Sequence, residues 1–217
     1  ITGFLMLHLA GARHRHLAML AGAGALVAGL VVLRHRYMLD RVQGWLSHWT
    51  TGAVDAQGRS WQLHQSIVAL GSGGIFGEGP GRSLQKFFFL PDPHTDFIYA
   101  VIGEELGLIG TASVLVAYVF LFLRGLRIAA KAPDRFGFLL ASGLTLSLAV
   151  YVGMNISVVT GIIPTTGLPL PFLSYGGSAL VVNLGVVGVI LNIARQADSG
   201  ARPAPIVRSG GVRAARV

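Results

Sequence analysis

The chain has 217 residues, 53% of them hydrophobic and 12% charged, about half the roughly 25% charge of an ordinary soluble domain. Together with a mean hydropathy of +0.64, this excludes a soluble globular protein and a wholly disordered one. Zero cysteines exclude a disulfide framework, a thiolate metal site and a cysteine nucleophile, and the net charge of +8 reads as membrane orientation and contact with membrane lipids, with no nucleic acid as partner.

Ile1–Ala10 is apolar from the start and carries no charged leader, so it reads as the tail of a transmembrane helix and the chain as the C-terminal part of a larger protein. A bilayer core of about 30 Å takes about 20 apolar helical residues. Leu17–Leu33 is such a run, bounded by Arg13/Arg15 and Arg34/Arg36. Phe97–Leu123 is the next, with Glu104 and Glu105 in its first half, followed by Phe136–Ile163 and by a shorter run from about Gly177 to Ala194. None alternates with a period of two, which argues against a β-barrel. The predicted fold is all-α: a polytopic transmembrane helix bundle of four complete spans plus the end of a fifth. It carries one long extracytoplasmic loop over 34–95 and a second, re-entrant-like loop over Gly161–Gly177. Residues 200–217, rich in Arg, Pro, Gly and Ala, read as a disordered basic cytoplasmic tail.

The 34–95 segment is too long to be a mere connection. It contains Trp45, Trp49 and Trp61, a residue type that favours the membrane–water interface. His64–Leu70 is predicted to form a short amphipathic helix. Gly71–Gly81 then has six glycines in eleven positions, which lets backbone approach a ligand or another backbone closely. Arg82 and Lys86 follow, ahead of Phe87–Phe89. Cations beside glycine backbone suit an anionic head group such as pyrophosphate; a pair of snorkelling interfacial cations fits the same pattern. No P-loop and no H-E-x-x-H is present, and His48, His64 and His94 share the loop without metal-ligand spacing.

Asp96 has two readings. Pro93 disfavours helix at Asp92, and Thr95 is a plausible N-cap, which puts Asp96 at the first helical position. There it is either a dipole-stabilising charge or a general base at the mouth of a cavity. Glu104 lies roughly 12 Å deeper and is turned by about 80°, with Glu105 on the opposite face. Each either faces a bundle interior or sits in the headgroup layer beside an arginine. Asn155, Asn183 and Asn192 read as interhelical hydrogen-bonding residues. Ser174-Tyr175-Gly176-Gly177-Ser178 is not G-x-S-x-G, which argues against a serine hydrolase. The second irregular stretch, Gly161–Gly177, has three prolines and four glycines, more than a plain helical hairpin needs.

Two long motifs go further. QSIVALGSGGIFGEGPGRSLQKFFFLPDPHTDFIYAVIGEELGLIG (Gln65–Gly110) and GIIPTTGLPLPFLSYGGSAL (Gly161–Leu180) resemble the SEDS family of shape, elongation, division and sporulation proteins. The similarity runs from about Gly11 to Arg195, and the wording Pro164–Gly167 is closer to the family's division member than to its elongation member. The resemblance implies a peptidoglycan glycosyltransferase that polymerises lipid II into glycan strands and releases polyprenyl pyrophosphate. It implies a class B penicillin-binding protein as partner and an active site on the extracytoplasmic side of the bacterial cytoplasmic membrane. The family's catalytic aspartate maps onto Asp96, its Gly-Glu-Glu-Leu-Gly motif onto Gly103–Gly107, and its lysine before the aromatics onto Lys86. Arg82, Lys86, His94, Thr95, Glu104, Ser174 and Tyr175 are the expected substrate-binding residues. Pro80 and Asp92 depart locally from the pattern and replace no matched functional residue. No nucleotide is needed; Arg82, Lys86 or a divalent cation (Mg or Mn) would stabilise the leaving pyrophosphate. A lipid flippase or transporter, or a scaffold that activates a synthase, are the competing classes, and a flippase has no need of Asp96 as a proton acceptor.

The short basic loops set the orientation: Ala10–His16 and Arg124–Arg135 belong in the cytoplasm, with 34–95 and Gly161–Gly177 outside. Single cysteines at Ser60 and Ala132 should therefore differ in intact cells. Ser60→Cys should react with a membrane-impermeant maleimide and Ala132→Cys should not; the reverse pattern inverts the topology.

Overall fold

The computed structural model describes residues 1–51, 61–83 and 95–198, and these form helices and irregular connections with no strand among them. The helices are α1 (Thr2–Leu9), α2 (His14–Arg34), α3 (Arg36–Thr51), α4 (Trp61–Ser72), α5 (Ile98–Ala130), α6 (Arg135–Val159) and α7 (Gly177–Asp198). α2, α5, α6 and α7 are long and apolar enough to cross a membrane, and α1 is the short fifth segment. The chain is a multi-pass helical membrane protein, as its composition requires.

Boundaries shift where polar anchors intervene. α6 ends at Val159, short of Ile163, because Gly161 turns the chain with φ +78° and the freed carbonyls find side-chain donors. The Ser66 hydroxyl donates to the Val159 carbonyl at 2.8 Å. Trp45 Nε1 and Trp49 Nε1 both donate to the Gly161 carbonyl, at 2.7 and 3.0 Å. The 34–95 segment is thus partly helical. On α3, Tyr37, Arg41, Trp45 and Trp49 recur every four residues, which places them along one face. α4 extends the His64–Leu70 helix at both ends.

The glycine segment settles against α5. Gly107 interrupts that helix with φ 66°, ψ −161°, a region that only glycine occupies without strain. In an unbroken helix the amides of Leu108 and Ile109 would donate to the carbonyls of Glu104 and Glu105. Instead Leu108 N donates to Gly74 O at 2.9 Å and Ile109 N to Ile75 O at 3.3 Å. The two carbonyls in turn accept from Glu78 N at 2.9 Å and Gly79 N at 3.0 Å. Two bonds of the regular helical ladder are thus replaced by four across the contact. The approach is possible only without side chains. A Cβ on Gly73 would lie 1.9 Å from Gly103 O, one on Gly77 2.2 Å from Glu105 O, and one on Gly107 2.5 Å from Gly77 N.

The main core lies at this end of the bundle. Ala69 of α4, Phe97, Ala100 and Tyr118 around α5, Val152 and Val159 of α6, and Leu170 of the second loop pack together. The Tyr118 hydroxyl donates to the Pro171 carbonyl, tying that loop to α5. At the other end, Asp134 caps α6 by accepting from Gly137 N at 2.8 Å, and Arg135 donates to the Ala10 carbonyl at 2.8 Å. α6 buries 33% of its apolar window against 6% for α2, so α6 is the axis of the packing and α2 presents its apolar surface outward.

Gly107→Ala should lose most of the folded protein, since overpacking costs about 1–3 kcal/mol and the forbidden backbone region about as much again. Gly71→Ala, which meets nothing within 4 Å, should match wild type. Fluorescence-detected gel filtration and thermal unfolding of the two variants read this directly.

Candidate functional site

Asp96 lies where α3, α4, α6 and the second loop converge. Thr95–Phe97 form a turn, and α5 begins at Ile98 with Phe97 as its flanking residue and no side-chain cap. The expected Thr95 cap and the first helical position for Asp96 are therefore corrected: Asp96 stands one residue before the cap. The cause is tertiary. The Ser174 hydroxyl donates to the Thr95 carbonyl, and Asn155 Nδ2 donates to the Asp96 carbonyl at 2.8 Å, so the turn is fixed by the second loop and α6.

Asn155 is the central support. It is 1% exposed, and its amide also donates to the Leu168 carbonyl at 2.7 Å. Its two donors thus bind the Asp96 turn to the second loop, instead of linking two helices as its position in a span suggested. The Asn155 Oδ1 atom is buried without a hydrogen-bond partner among the described residues. Ser174 plays a similar part, accepting from Leu170 N at 2.7 Å while donating to Thr95. Phe172 between them has φ 68°, an uncommon conformation for a bulky residue, held by the packing of this loop.

The Asp96 carboxylate faces a cavity of about 200 Å³ lined by Tyr37, Arg41, Gln62, Thr165, Gly167 and Leu168 among others. A Cβ on Gly167 would lie 3.4 Å from Asp96 Oδ2, an ordinary contact distance, and its φ of +73° favours glycine there. Arg41 Nη1 donates to the Thr165 carbonyl at 2.7 Å, and its guanidinium lies 4.5 Å from the centre of the Tyr37 ring. The cavity therefore joins one carboxylate, one guanidinium and several hydrogen-bonding groups.

Other expected site residues fall elsewhere. Glu104, 1% exposed, accepts from the Ser83 hydroxyl at 2.5 Å and does not line this cavity. Arg82 is exposed just past the glycine segment, its stem beside Gly79. Tyr175 is 83% exposed. Lys86 and His94 lie outside the described residues. Of the two readings of the glycine segment, a ligand or another backbone, the structure shows backbone: the segment lies on α5. Asn192 accepts from Gln196 at 2.6 Å within its own helix. His48 and His64 rings meet at 6.0 Å, but no group of three or more His, Asp or Glu able to hold a metal occurs among the described residues.

Sequence reading missed Arg41 and the bridging role of Asn155. Arg41 could have been found from the four-residue spacing Tyr37, Arg41, Trp45, Trp49, which presents a cation on the same helical face as two anchoring indoles. Nothing in the sequence reveals that Asn155 reaches Asp96, 59 residues away.

A family model described as cell cycle protein, covering FtsW, RodA and SpoVE, matches residues 1–199. Stage V sporulation protein E of Bacillus subtilis is 46% identical over 196 residues, covering 89% of this chain and 52% of its own length. A probable peptidoglycan glycosyltransferase FtsW of Geobacter metallireducens is 43% identical over 192 residues, covering 88% of this chain and 50% of its own length. A chain from a solved peptidoglycan synthase complex superposes with a TM-score of 0.69 at 29% identity, over 90% of this chain and 53% of that one. The chain spans about half the length of the relatives it matches.

Asn155→Leu keeps the volume and removes both donors, so the Asp96 and Leu168 carbonyls lose the Asn155 hydrogen bonds. An unsatisfied buried polar group costs about 1–3 kcal/mol. Thermal unfolding of the purified protein should fall accordingly, and an unchanged Tm would show that the bridge carries no stability.

Proposed function

The chain belongs to the FtsW, RodA and SpoVE family, and from that premise we propose that the full-length protein is a peptidoglycan glycosyltransferase polymerising lipid II. The observation that carries this reading is the Asp96 carboxylate at a polar cavity that Arg41 also lines, on a turn whose backbone is held by tertiary hydrogen bonds. An acceptor sugar's 4-hydroxyl attacks the anomeric carbon of the lipid-linked donor. The new glycosidic bond forms as the bond to polyprenyl pyrophosphate breaks. Asp96 accepts the hydroxyl proton, and Arg41, which lines the same cavity, offsets the charge of the departing pyrophosphate. The expected divalent cation finds no ligand cluster among the described residues, so no step is routed through it.

The same reading places the protein in the bacterial cytoplasmic membrane, with Asp96 on the extracytoplasmic side where lipid II is consumed. A class B penicillin-binding protein is the partner it implies. The wording Pro164–Gly167 favours the division branch of the family. Interrupted spans also occur in transporters, and α5 is interrupted at Gly107. The break is filled by the chain's own glycine segment, whereas a transporter leaves such backbone free for its cargo; this favours the enzyme.

Asp96→Asn in the full-length protein keeps the side chain's size and removes proton acceptance. Loss of a general base costs about 10²–10⁴-fold in rate. Loss of a charge at a helix terminus costs only about 0.3–1 kcal/mol of stability. The variant should insert and fold but make almost no glycan polymer from lipid II, while Asp92→Asn retains most activity. Polymerisation by Asp96→Asn within a few-fold of wild type would make Asp96 a structural charge and end this mechanism.

A further inference from the structure

The far end of α5 from Asp96 is a basic stripe. Arg124, Arg127 and Lys131 line a cavity of about 410 Å³ together with Ile128 of the same region and Leu191 and Asp198 of α7. Like charges three and four residues apart on a helix repel one another. Three cations against one carboxylate leave the cavity positive, and none of the three is ion-paired among the described residues. Arg124 is held in place over the Phe120 ring, 5.4 Å from its centre. Snorkelling explains cations that spread along a lipid-facing surface, but these three converge on one space between two helices.

That space does not end at the charges. An almost wholly apolar slot of about 100 Å³ adjoins it, walled by α5, α6 and α7, and Arg124, Ile128 and Leu191 line both. Phe122, Leu148 and Val187 form its deeper wall. A cationic mouth opening on an apolar slot within a membrane span fits an amphiphile whose anionic head sits at the water interface. We propose that this is a binding site for an anionic phospholipid of the adjoining leaflet, which the basic short loops assign to the cytoplasm. The phosphodiester takes the guanidinium forks of Arg124 and Arg127 and the Lys131 ammonium, and the start of one acyl chain enters the slot. A zwitterionic head group is disfavoured because its ammonium would meet the same three cations. This site is independent of the chemistry at Asp96.

Native mass spectrometry of the full-length protein, exchanged into equal parts phosphatidylglycerol and phosphatidylethanolamine, tests it. Wild type should retain phosphatidylglycerol preferentially. Arg127→Gln alone should weaken retention by roughly fivefold, and the triple change Arg124→Gln, Arg127→Gln, Lys131→Gln by on the order of a hundredfold. Val187→Phe keeps every charge and fills the slot, so it should lower retention as well. Equal retention of the two lipids by wild type, or unchanged retention in Arg127→Gln and the triple variant, would overturn the proposal. So would displacement of the lipid by soluble glycerol phosphate with Val187→Phe behaving as wild type, which would make this a site for free phosphate.

Discussion

The structure depends on one backbone-to-backbone contact. A break in a membrane helix exposes amides and carbonyls that lipid cannot satisfy, and each unsatisfied group costs several kcal/mol. Here the break at Gly107 frees Leu108 and Ile109 amides and Glu104 and Glu105 carbonyls, and the chain from Gly74 to Gly79 pairs with all four. The contact fixes the register of α4 against α5. Because α4 also reaches α6 through Ser66 and Val159, three elements are locked before any site residue is considered. Glycine is demanded on both sides: by backbone conformation at Gly107 and by lack of space at Gly73 and Gly77.

The Asp96 cavity is built on that frame by a second set of polar anchors. Two indoles on α3 share the Gly161 carbonyl, Arg41 takes the Thr165 carbonyl, Asn155 takes those of Asp96 and Leu168, and Ser174 takes that of Thr95. Five carbonyls of irregular or helix-end backbone, those of Thr95, Asp96, Gly161, Thr165 and Leu168, thus accept from side chains. The arrangement holds a carboxylate at a polar opening without requiring the loops themselves to be regular. Under the proposed function, such anchoring suits a group that must meet a reacting hydroxyl within hydrogen-bond reach.

The two ends of α5 have opposite characters. One end carries a carboxylate and a network of satisfied carbonyls; the other carries three converging cations. An asymmetric helix of this kind is oriented by charge, and the same charges that orient it leave a cavity whose chemistry is positive. Close packing accompanies the cations: Gly125, beside Arg124, allows α5 to approach α6 so closely that a Cβ there would lie 2.4 Å from Thr145 Oγ1.

The sequence by itself determined the number and approximate limits of the spans, because apolar length is a one-dimensional property that the bilayer reads directly. It also determined the short helix after Trp61, through local periodicity, and the family, through two long motifs that include Asp96. It could not assign the glycines, since the same flexibility serves a phosphate or a neighbouring backbone, and only the position of α5 decided between them. Nor could it place Thr95 and Asp96 ahead of the helix, because local capping preference is weaker than the hydrogen bonds supplied by Asn155 and Ser174, 59 and 79 residues further along the chain. Arg41 entered the site, and Glu104 left it for Ser83, for the same reason: hydrogen-bond partners in this fold are chosen across large sequence separations, and no local pattern encodes them.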